Sequence, residues 1–590
     1  MRVTRLFDIL YYQLENNPIE KSLVTKKNGI WDYSSTTSVV NQVNQVSRGL
    51  LKHGIRPGDK IAIVTSVNRT EWLIMDYAIQ QIGAITVPIY PTLSKDDFIF
   101  VLNDSRSILC FVSDEILFDK IQNIKEECPS LTNVFTFDEV EGGTPWTYIR
   151  DMGEDTSTQQ EVESLKDKAR SEDMVTLIYT SGTTGKPKGV MLTHKNLISN
   201  IFGCHERIMI ENDRGYRVLS FLPICHVLER MVTYVFMYRS YTIYFAESID
   251  KLALNLKEVR PHVITVVPRV VEKLYATIYA KGTSGGWLKS QIFLWALKIA
   301  AKFEPFQPTS LSHKIADVLV FKKWREGLGR ELKLIICGSA ALAENLNRMF
   351  FAAGLPIVEG YGLTETSPVI AVNGNKKELF RFGTVGPLIR ESEVKIAEDG
   401  EILTKGPNIF IGYHNDEKRF KDAFTEDGWL KTGDIGCLKD GFLVITDRKK
   451  EMFKTSGGKY ITPQITENYL KQSRFIEQAM VVGDGEKMPC ALIQPDFNFV
   501  SEYVKFKNLH MNAYMPPEEV IKNEVIREKL RVEVEKVNQQ LGHWEQIKKF
   551  ELTPTVWSIE GGELTPTLKL RRKIIKEKYI DLYNKMYDNY

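Results

Sequence analysis

The sequence contains no apolar run long enough to cross a membrane and carries almost no net charge. A membrane-spanning helix needs about 18 consecutive apolar residues, and the sequence offers no such run. The formal charge of +2 at pH 7 gives no overall attraction to a polyanion, so we predict no nucleic-acid partner. The opening stretch MRVTRLFDILYYQLENN mixes acidic and polar residues into its apolar pattern, unlike a secretory signal peptide. We therefore expect a cytoplasmic protein, with peripheral contact at the inner face of a membrane as an open alternative.

Cysteine is scarce, and its spacing excludes two common structural roles of this residue. The seven cysteines lie at positions 110, 128, 204, 225, 337, 437 and 490. No two of them form a CxxC pair or another metal-ligand spacing, and an odd number does not suit a disulfide framework. We expect reduced and mostly buried thiols.

Length and hydrophobic patterning predict an α/β protein with more than one domain. A chain of 590 residues exceeds what one hydrophobic core usually spans. Helix-like stretches such as WLIMDYAIQQIG alternate with strand-like stretches such as AITVPIY, which favours mostly parallel sheets. From about Val385, shorter strands with glycine turns predict a β-rich subdomain. We predict a large N-terminal domain at 1–447 and a smaller α+β domain at 448–590.

The stretch YTSGTTGKPKGV, from Tyr179 to Val190, has the composition of a phosphate-binding loop. Glycines let backbone N–H groups approach an anion, hydroxyls donate further hydrogen bonds, and lysine adds a positive charge. It is not a Walker A loop, because Thr180 replaces the first glycine and Pro187 replaces the magnesium-binding hydroxyl. Taken alone, the stretch fits a solvated surface loop equally well.

The stretch GWLKSQIFLWALKIAAKFEPF, from Gly286, interleaves apolar residues with lysines. This pattern is found on helices that lie at a membrane surface. It is also found on half-buried surface helices, and we favour that simpler interpretation.

Five motifs together resemble those of the adenylate-forming, or AMP-binding, superfamily. They are YTSGTTGKPKG at Tyr179, YGLTE at Tyr361, GWLKTGD at Gly428, DRKKEMFKTSGGKYITP at Asp447 and GELTPTLKLRR at Gly562. Their order and separations are similar to those of the superfamily along nearly the whole chain. FLPICHVLERM, VVPRVVEKLY and ICGSAAL resemble, more narrowly, the long-chain acyl-CoA synthetases.

The resemblance implies an enzyme that activates a long-chain fatty acid in two steps. The carboxylate attacks the α-phosphorus of ATP and releases pyrophosphate, and the thiol of coenzyme A then displaces AMP to give the thioester. ATP, Mg²⁺, coenzyme A and the fatty acid are thus the implied ligands, and the oligomeric state is left open. The implied fold is that of the adenylate-forming enzymes, with a mobile C-terminal domain that rotates about a hinge near Lys450.

Four residues receive catalytic roles from the resemblance. Lys569 is implied to contact the carboxylate and the α-phosphate oxygens during adenylation. Glu365, with Thr183, is implied to hold Mg²⁺, an ion that takes only one or two protein oxygens. His226 lies at the position resembling the mouth of the acyl pocket, where it orients the carboxylate or gates the tunnel.

The other implied positions bind ATP or coenzyme A. Tyr361 offers its ring to adenine, Thr364 reaches the α-phosphate, Asp434 accepts hydrogen bonds from the ribose, and Arg448 adds a donor. The glycine turn that follows Lys450 lines the pantetheine tunnel. The full set is Thr180, Ser181, Gly182, Thr183, Thr184, Gly185, Lys186, Lys188, Gly338, Ser339, Ala340, Tyr361, Gly362, Thr364, Asp434, Arg448, Lys450, Ser456, Gly457 and Gly458.

Two alternative functions remain open from the sequence. A fatty acyl-AMP ligase passes the acyl group to a carrier-protein thiol, although no carrier domain is visible in the sequence. A non-catalytic nucleotide- or lipid-binding relative is predicted to lose a catalytic position, yet Thr183, Glu365, Asp434, Arg448 and Lys569 are all in place.

Overall fold

The computed structural model describes residues 2–180, 187–207, 210, 213–449, 451–457, 459–506, 515–565 and 568–588. Predicted site residues 181–186, Lys450 and Gly458 lie outside this set. The strands are β1 (Leu23–Lys27), β2 (Ile30–Ser34), β3 (Lys60–Val64), β4 (Ile85–Ile89), β5 (Leu109–Val112), β6 (Asn133–Thr136), β7 (Thr144–Pro145), β8 (Met174–Thr180), β9 (Lys188–Thr193), β10 (Arg217–Ser220), β11 (Thr242–Phe245), β12 (Val263–Val266), β13 (Leu334–Cys337), β14 (Ile357–Gly362), β15 (Val369–Val372), β16 (Glu393–Ile396), β17 (Glu401–Lys405), β18 (Gly412–Tyr413), β19 (Leu430–Lys439), β20 (Phe442–Arg448), β21 (Phe453–Lys454), β22 (Tyr460–Ile461), β23 (Ile476–Val482), β24 (Cys490–Pro495) and β25 (Lys549–Leu552).

Helices alternate with these strands, as the hydrophobic pattern predicts. The α-helices are α1 (Asp8–Asn16), α2 (Thr36–Lys52), α3 (Thr70–Gln81), α4 (Lys95–Ser105), α5 (Glu115–Gln122), α6 (Thr147–Met152), α7 (Gln159–Lys168), α8 (His194–Arg207), α9 (Val227–Tyr238), α10 (Leu252–Val259), α11 (Pro268–Thr283), α12 (Gly286–Ala300), α13 (Leu311–Ala316), α14 (Lys322–Gly327), α15 (Glu344–Ala352), α16 (Glu417–Asp422), α17 (Pro463–Leu470), α18 (Phe497–Phe506), α19 (Pro517–Val520), α20 (Glu524–Asn538), α21 (Arg572–Lys578) and α22 (Ile580–Tyr587).

The chain separates into two compact units. Unit 1 comprises 1–395, 403–431 and 440–443, and unit 2 comprises 396–402, 432–439 and 444–590. A four-stranded sheet has the spatial order β16-β17-β19-β20. The assignment of separate functions to an N-terminal and a C-terminal domain stays a prediction.

Unit 1 is built on two eight-stranded sheets that are mostly parallel. One has the order β15-β14-β13-β12-β10-β11-β1-β2, in which only the edge strands β15 and β2 pair antiparallel. The other has the order β18-β9-β8-β4-β3-β5-β6-β7, with antiparallel pairing at β18, β9 and β8. Such sheets gather loops at the carboxyl ends of their strands, where ligands bind in α/β proteins.

Two helices of unit 1 are buried on nearly all sides and carry a buried ion pair between them. Every residue of α3 is buried, as are eleven of the twelve in α9. Arg230 on α9 donates to both carboxylate oxygens of Asp76 on α3, at 2.6 and 3.1 Å, and to Thr176 Oγ1 on β8 at 2.6 Å. Burial of one partner alone would be strongly unfavourable, so the pair specifies how α3, α9 and β8 pack.

Unit 2 has its own small core. Strand β24 lies between β23, which is antiparallel to it, and β25, which is parallel. Apolar residues of α17 and α20, including Leu470, Ile526 and Leu530, pack with those of this sheet in one cluster. The α/β class, with a large first part, a β-rich stretch and a smaller α+β part, is as predicted.

Candidate active site

The predicted phosphate loop connects two antiparallel strands of unit 1. Strand β8 ends at Thr180 and β9 begins at Lys188, and these two residues face each other in the register. The loop residues Ser181, Gly182, Thr183, Thr184, Gly185 and Lys186 lie outside the described residues. Thr180 Oγ1 is buried and finds no hydrogen-bond partner within the described part of the chain. A donor left unpaired at the base of this loop is suited to an anionic ligand.

Lys188 is brought together with Glu365, 177 residues later in the sequence. Its ammonium donates to Glu365 Oε1 at 2.5 Å and to the hydroxyl of Tyr413 at 2.8 Å. The Tyr413 hydroxyl donates in turn to the same Oε1 at 2.7 Å. The three polar groups therefore form a closed triangle, which we call the carboxylate triad.

Electrostatics keep Glu365 ionised in this triad. Burial by itself would raise the pKa of Glu365, but the positive charge of Lys188 and the hydrogen bonds from Lys188 and Tyr413 hold that pKa below its ordinary value. Burial, and to a smaller extent the same carboxylate, raise the pKa of Tyr413, so the phenol keeps its proton. The site thus presents a buried anion with a lysine already beside it.

The backbone around Glu365 leaves no space for a larger side chain before it. A Cβ atom on Gly362 would lie 1.6 Å from the Pro368 carbonyl oxygen, so only glycine fits there. Tyr361 and Thr364, on the same segment, are half-buried. The Glu365 carbonyl accepts from Phe410 N at 2.9 Å. The segment between Phe410 and Tyr413 therefore holds both the backbone and the side chain of Glu365.

Tyr413 is the site residue that sequence reasoning missed. It belongs to the two-residue strand β18, which pairs with β9 through Met191 and Val190. This pairing bridges more than two hundred residues of sequence, and nothing local to Tyr413 indicates it. Only the packing of β18 on β9 reveals the contact with Lys188.

The predicted acyl-side residue His226 and the predicted ATP- or coenzyme A-binding turn 338–340 follow two parallel strands of one sheet, β10 and β13, which β12 separates. His226 is half-buried and caps α9, because its Nδ1 accepts from Leu228 N at 3.2 Å. Gly338, Ser339 and Ala340 follow β13, and a Cβ on Gly338 would come within 2.9 Å of the Leu228 side chain. His226 and the 338–340 turn are thus linked through Leu228.

A buried acid lies close to this group. Glu229, on the first turn of α9, is 1% exposed, and its Oε1 accepts from Ser220 Oγ at 2.6 Å. Glu229 Oε2 has no hydrogen-bond partner among the residues that the structure describes, and the same is true of Thr265 Oγ1 on β12, the strand that pairs with β10. Burial raises the pKa of Glu229 to about 8, an effect that the Ser220 bond only reduces. Glu229 is therefore a neutral acid near pH 7.

Unit 2 brings together the remaining predicted nucleotide residues. Asp434 is buried and accepts from Arg448 Nε at 3.1 Å. Lys569 as a whole residue is exposed. Its ammonium group is nevertheless desolvated, and this desolvation, together with the positive charge of the neighbouring Arg448, lowers the pKa of Lys569 to about 8. Asp434 and Glu451 act on the same pKa in the opposite direction. Residues 135 positions apart thus share one electrostatic environment.

Arg572 anchors the hairpin that carries Lys569. Its guanidinium makes a bidentate pair with Glu467, at 2.7 and 2.8 Å, and a further bond to Glu451 at 3.1 Å. The hairpin itself closes through Thr565 N, which donates to the Lys569 carbonyl at 2.8 Å. Arg572 is therefore occupied by carboxylates, while Lys569 three residues earlier is held in place by the backbone.

The predicted coenzyme A turn is a hairpin on the surface of unit 2. Strands β21 and β22 pair antiparallel, and Ser456 and Gly457 lie exposed between them. Ser456 N donates to the Glu486 carbonyl at 2.8 Å. Nothing in this geometry tests a pantetheine contact, so that role stays a prediction, as does the hinge at Lys450.

The structure also bears on the cysteines, on possible metal-ligand clusters and on possible membrane-spanning helices. Six of the seven cysteines are buried, as predicted, and Cys437 is the exposed one; no two of the seven are paired. Within the described ranges, no three acidic, histidine or cysteine side chains cluster as a metal site. No helix in the same ranges has the length and apolarity to cross a membrane.

Comparison with known proteins places the chain in a family. The profile described as AMP-binding enzyme matches residues 12–414, and that of the AMP-binding enzyme C-terminal domain matches residues 451–590. The chain belongs to the AMP-binding enzyme family. This confirms the superfamily that the five motifs predict.

Curated relatives of this AMP-binding enzyme include long-chain fatty acid ligases. It is 35% identical to the long-chain-fatty-acid–CoA ligase FadD15 of Mycobacterium bovis over 570 aligned residues, and the alignment covers 94% of this chain and 93% of the relative. It is 30% identical over 592 residues to the peroxisomal long chain acyl-CoA synthetase 7 of Arabidopsis thaliana, covering 95% and 82%.

Solved structures confirm the fold. The anthranilate CoA ligase AuaEII, in complex with anthranoyl-AMP, superposes with a TM-score of 0.72 at 19% identity over 97% of both chains. A Mycobacterium tuberculosis fatty acyl CoA synthetase superposes with a TM-score of 0.62 at 20% identity over 98% of both chains. This AMP-binding enzyme therefore has the adenylate-forming fold.

Proposed function

We propose that this AMP-binding enzyme is a long-chain fatty acid–CoA ligase. The observation that carries the proposal is the carboxylate triad, in which Lys188 and ionised Glu365 meet beside the strand ends that flank the glycine-rich loop. At a phosphate-binding loop, a cation can contact the phosphates of a nucleoside triphosphate and a carboxylate can bind its metal ion. The similarity to long-chain ligases along more than nine-tenths of the chain supports the choice of acid.

In the first step, the acid's carboxylate attacks the α-phosphorus of ATP and pyrophosphate leaves. Negative charge grows on the phosphate oxygens, and Lys188, the loop N–H groups and Lys569 are the donors that we assign to it. Removing one well-placed donor of this kind costs about 10²–10³ in rate. We assign the ribose to Asp434 and Arg448, which pair with each other at 3.1 Å.

In the second step, the thiol of coenzyme A attacks the acyl carbonyl, loses its proton and displaces AMP. No cysteine of the chain is needed as a nucleophile, and burial raises the pKa of both Cys225 and Cys337, which keeps these thiols protonated. We propose that unit 2 changes its orientation between the steps by rotation at Lys450, so that Lys569 leaves and the 456–458 turn approaches.

Mg²⁺ fits the residues present. Glu365 offers a carboxylate held ionised by its neighbours, and the described chain has no larger acidic cluster. That donor set suits an ion that keeps its waters and binds mainly to substrate phosphates. When bound, the ion would neutralise phosphate charge, with Glu365 and Thr183 as its protein ligands.

The acyl chain is assigned to the side of His226 and the 338–340 turn. Leu228 and Cys337 give this region an apolar lining, and burial of an alkyl chain contributes about 0.8 kcal/mol per CH₂. We further propose peripheral contact with a membrane, since the acid is itself apolar.

The test measures products from purified protein with ATP, Mg²⁺ and coenzyme A over a series of acids from acetate to oleate. We expect acyl-CoA and AMP in equal amounts, with a maximum at long chains. Lys569→Ala should lower acyl-CoA formation at least a hundredfold, about the cost of one transition-state donor. Lys573→Ala, at a side chain that is 89% exposed four positions away, should leave the rate unchanged.

Two results would redirect the assignment. Pyrophosphate release with accumulating acyl-AMP and no thioester would indicate an acyl-AMP ligase that awaits a carrier protein. Nucleotide binding without turnover of any acid would indicate a non-catalytic relative.

A further inference from the structure

Two neighbouring helical segments of unit 1 turn apolar side chains toward solvent. The first is α12, and the second runs over 311–327 as α13, a π-helical turn at Asp317–Phe321 and α14. Their inner faces pack in one cluster, in which Phe293 and Ala300 of α12 join Ala316 and Phe321. Both segments are therefore anchored in the core of unit 1. Because their inner faces are packed in this cluster, the opposite faces of the two segments are turned to the solvent.

The outer face of α12 carries two tryptophans. Trp287 is 77% exposed, Leu288 65% and Trp295 37%, and Gln291 and Lys298 are exposed between and after them. These positions recur every three or four residues, so they form one stripe along the helix. The helix is half-buried as predicted, but the exposed half is not the polar half expected of a water-facing helix.

The segment 311–327 repeats the pattern without aromatic residues. Leu311 is 75% exposed, Ile315 45%, Val318 68% and Leu319 44%, again at intervals of three or four. Single exposed apolar residues are ordinary on proteins, whereas a group of exposed apolar residues on adjacent helices marks an interaction surface.

The charge around these stripes is mostly positive. Between positions 281 and 327 there are seven lysines, at 281, 289, 298, 302, 314, 322 and 323, one arginine, Arg325, and three acidic residues. All three acids are paired with arginines, Glu304 with Arg348, Asp317 with Arg325 and Glu326 with Arg330. None of the seven lysines has an ion-pair partner among the described residues, and all seven are exposed. The surface therefore combines apolar side chains with uncompensated positive charge.

We propose that this docking face, defined by Trp287, Leu288, Trp295, Leu311, Ile315 and Val318 with the surrounding lysines, binds the surface of an anionic lipid bilayer. Tryptophan and aliphatic side chains enter the boundary between headgroups and acyl chains, and lysines contact the anionic headgroups. The inference rests on the proposed function, because a bilayer is where a long-chain acid is concentrated. The face would bring the enzyme to that substrate.

A second copy of the chain is a poorer occupant for this face. Self-association would place two sets of seven lysines against each other, and like charges repel across a desolvated interface. An anionic bilayer instead supplies the opposite charge over a broad area and also accepts the apolar side chains.

Flotation with lipid vesicles tests the proposal directly. We expect the full chain to float with vesicles of equimolar phosphatidylcholine and phosphatidylglycerol at low salt, and to bind far less to phosphatidylcholine alone or at high salt. The charge variant combines Lys289→Gln, Lys298→Gln and Lys322→Gln, and the apolar variant combines Trp287→Ser, Leu311→Ser and Val318→Ser. The control for the charge variant combines Lys376→Gln, Lys377→Gln and Lys418→Gln. The control for the apolar variant combines Ile30→Ser, Ile116→Ser and Val556→Ser. All six control positions are exposed.

The charge variant should bind roughly a hundredfold more weakly, since each lysine near an anionic surface contributes about fivefold. The apolar variant should lose binding that persists at high salt, and both control variants should bind as the unchanged protein does. Equal binding by all variants, or no binding to anionic vesicles, would overturn the proposal. So would a dimer in analytical ultracentrifugation that the apolar variant abolishes.

A kinetic comparison separates this proposal from the proposed function. With oleate presented in anionic vesicles, both docking-face variants should show a reduced kcat/KM, whereas with octanoate in free solution they should match the unchanged protein. Octanoate turnover without vesicle binding would refute the docking face and leave the ligase in place. Vesicle binding without turnover of any acid would refute the ligase and leave the surface assignment in place.

Discussion

Replacing Glu229 by glutamine should change how the stability of unit 1 depends on pH. The carboxyl is 1% exposed and has one hydrogen-bond donor, Ser220, so burial raises the pKa of Glu229 to about 8. The unfolded chain titrates near the ordinary value of 4.5. Between these two values, the folded protein holds a proton that the unfolded protein has released. Stability from this group is therefore complete below the lower pKa and is lost as pH rises toward the higher one.

The size of the effect follows from the two pKa values. Each pH unit within the window lowers the free energy of unfolding by about 1.4 kcal/mol, so the loss at pH 7 is on the order of 3 kcal/mol. Glutamine keeps the shape and the Ser220 bond but cannot ionise, so its contribution should be independent of pH. Its amide nitrogen takes the place of an unpaired oxygen, which costs about 1–3 kcal/mol at every pH.

Thermal unfolding of both proteins from about pH 5 to about pH 8 tests this reasoning. The Glu229→Gln protein should be the less stable at the acidic end and should lose less stability on going to the alkaline end. Infrared difference spectra should show one protonated carboxyl fewer in the variant near neutral pH. Glu417→Gln, at an exposed pair with Lys421 whose carboxyl titrates below the window, is the control. Parallel curves for the unchanged protein and Glu229→Gln would show that the acid does not titrate in this range.

Three further outcomes are expected. Tyr413→Phe removes the phenol that orients Glu365, so the Mg²⁺ concentration giving half-maximal activity should rise about tenfold or more; an unchanged Mg²⁺ titration would contradict this. Asp76→Asn leaves Arg230 buried without its counter-charge and should lower unfolding stability by about 3–5 kcal/mol, seen in denaturant titrations against a surface control, Asp427→Asn. Pyrophosphate exchange should fall as pH rises through the Lys569 pKa of about 8, and thioester formation from preformed acyl-adenylate should not; a common pH profile would refute it.

Local sequence signals were sufficient for the fold class and for many elements. WLIMDYAIQQIG predicts a helix that the structure places at Thr70–Gln81, and GWLKTGD leads into the strand Leu430–Lys439. These signals work because helix and strand periods are imposed by burial on one or two sides of an element. The segment from Gly286 was also predicted as a half-buried helix, yet its exposed residues turned out to be tryptophan and leucine. Composition cannot say which side of such a helix faces the core.

The partners of site residues were beyond local sequence signals. Lys186, Lys188 and Lys195 are alike in sequence, yet Lys188 meets a buried carboxylate because β9 runs beside β18 and the Glu365 segment. Tyr413 had no pattern of its own, since its role depends on a two-residue strand. Glu229 resembles any acid on the first turn of a helix until its burial is known.

The basic end of the chain illustrates why charge alone does not identify a phosphate ligand. LTPTLKLRR offers Lys569, Arg571 and Arg572 within four positions, and any of them has the charge to meet a phosphate. Arg572 is already saturated by Glu467 and Glu451, and releasing it would leave two carboxylates without their cation. The pKa of Lys569, by contrast, is lowered. The nearby carboxylate that acts on it, that of Asp434, already pairs with Arg448. A phosphate arriving near Lys569 would find a cation whose charge is poorly compensated, so binding there costs the fold least.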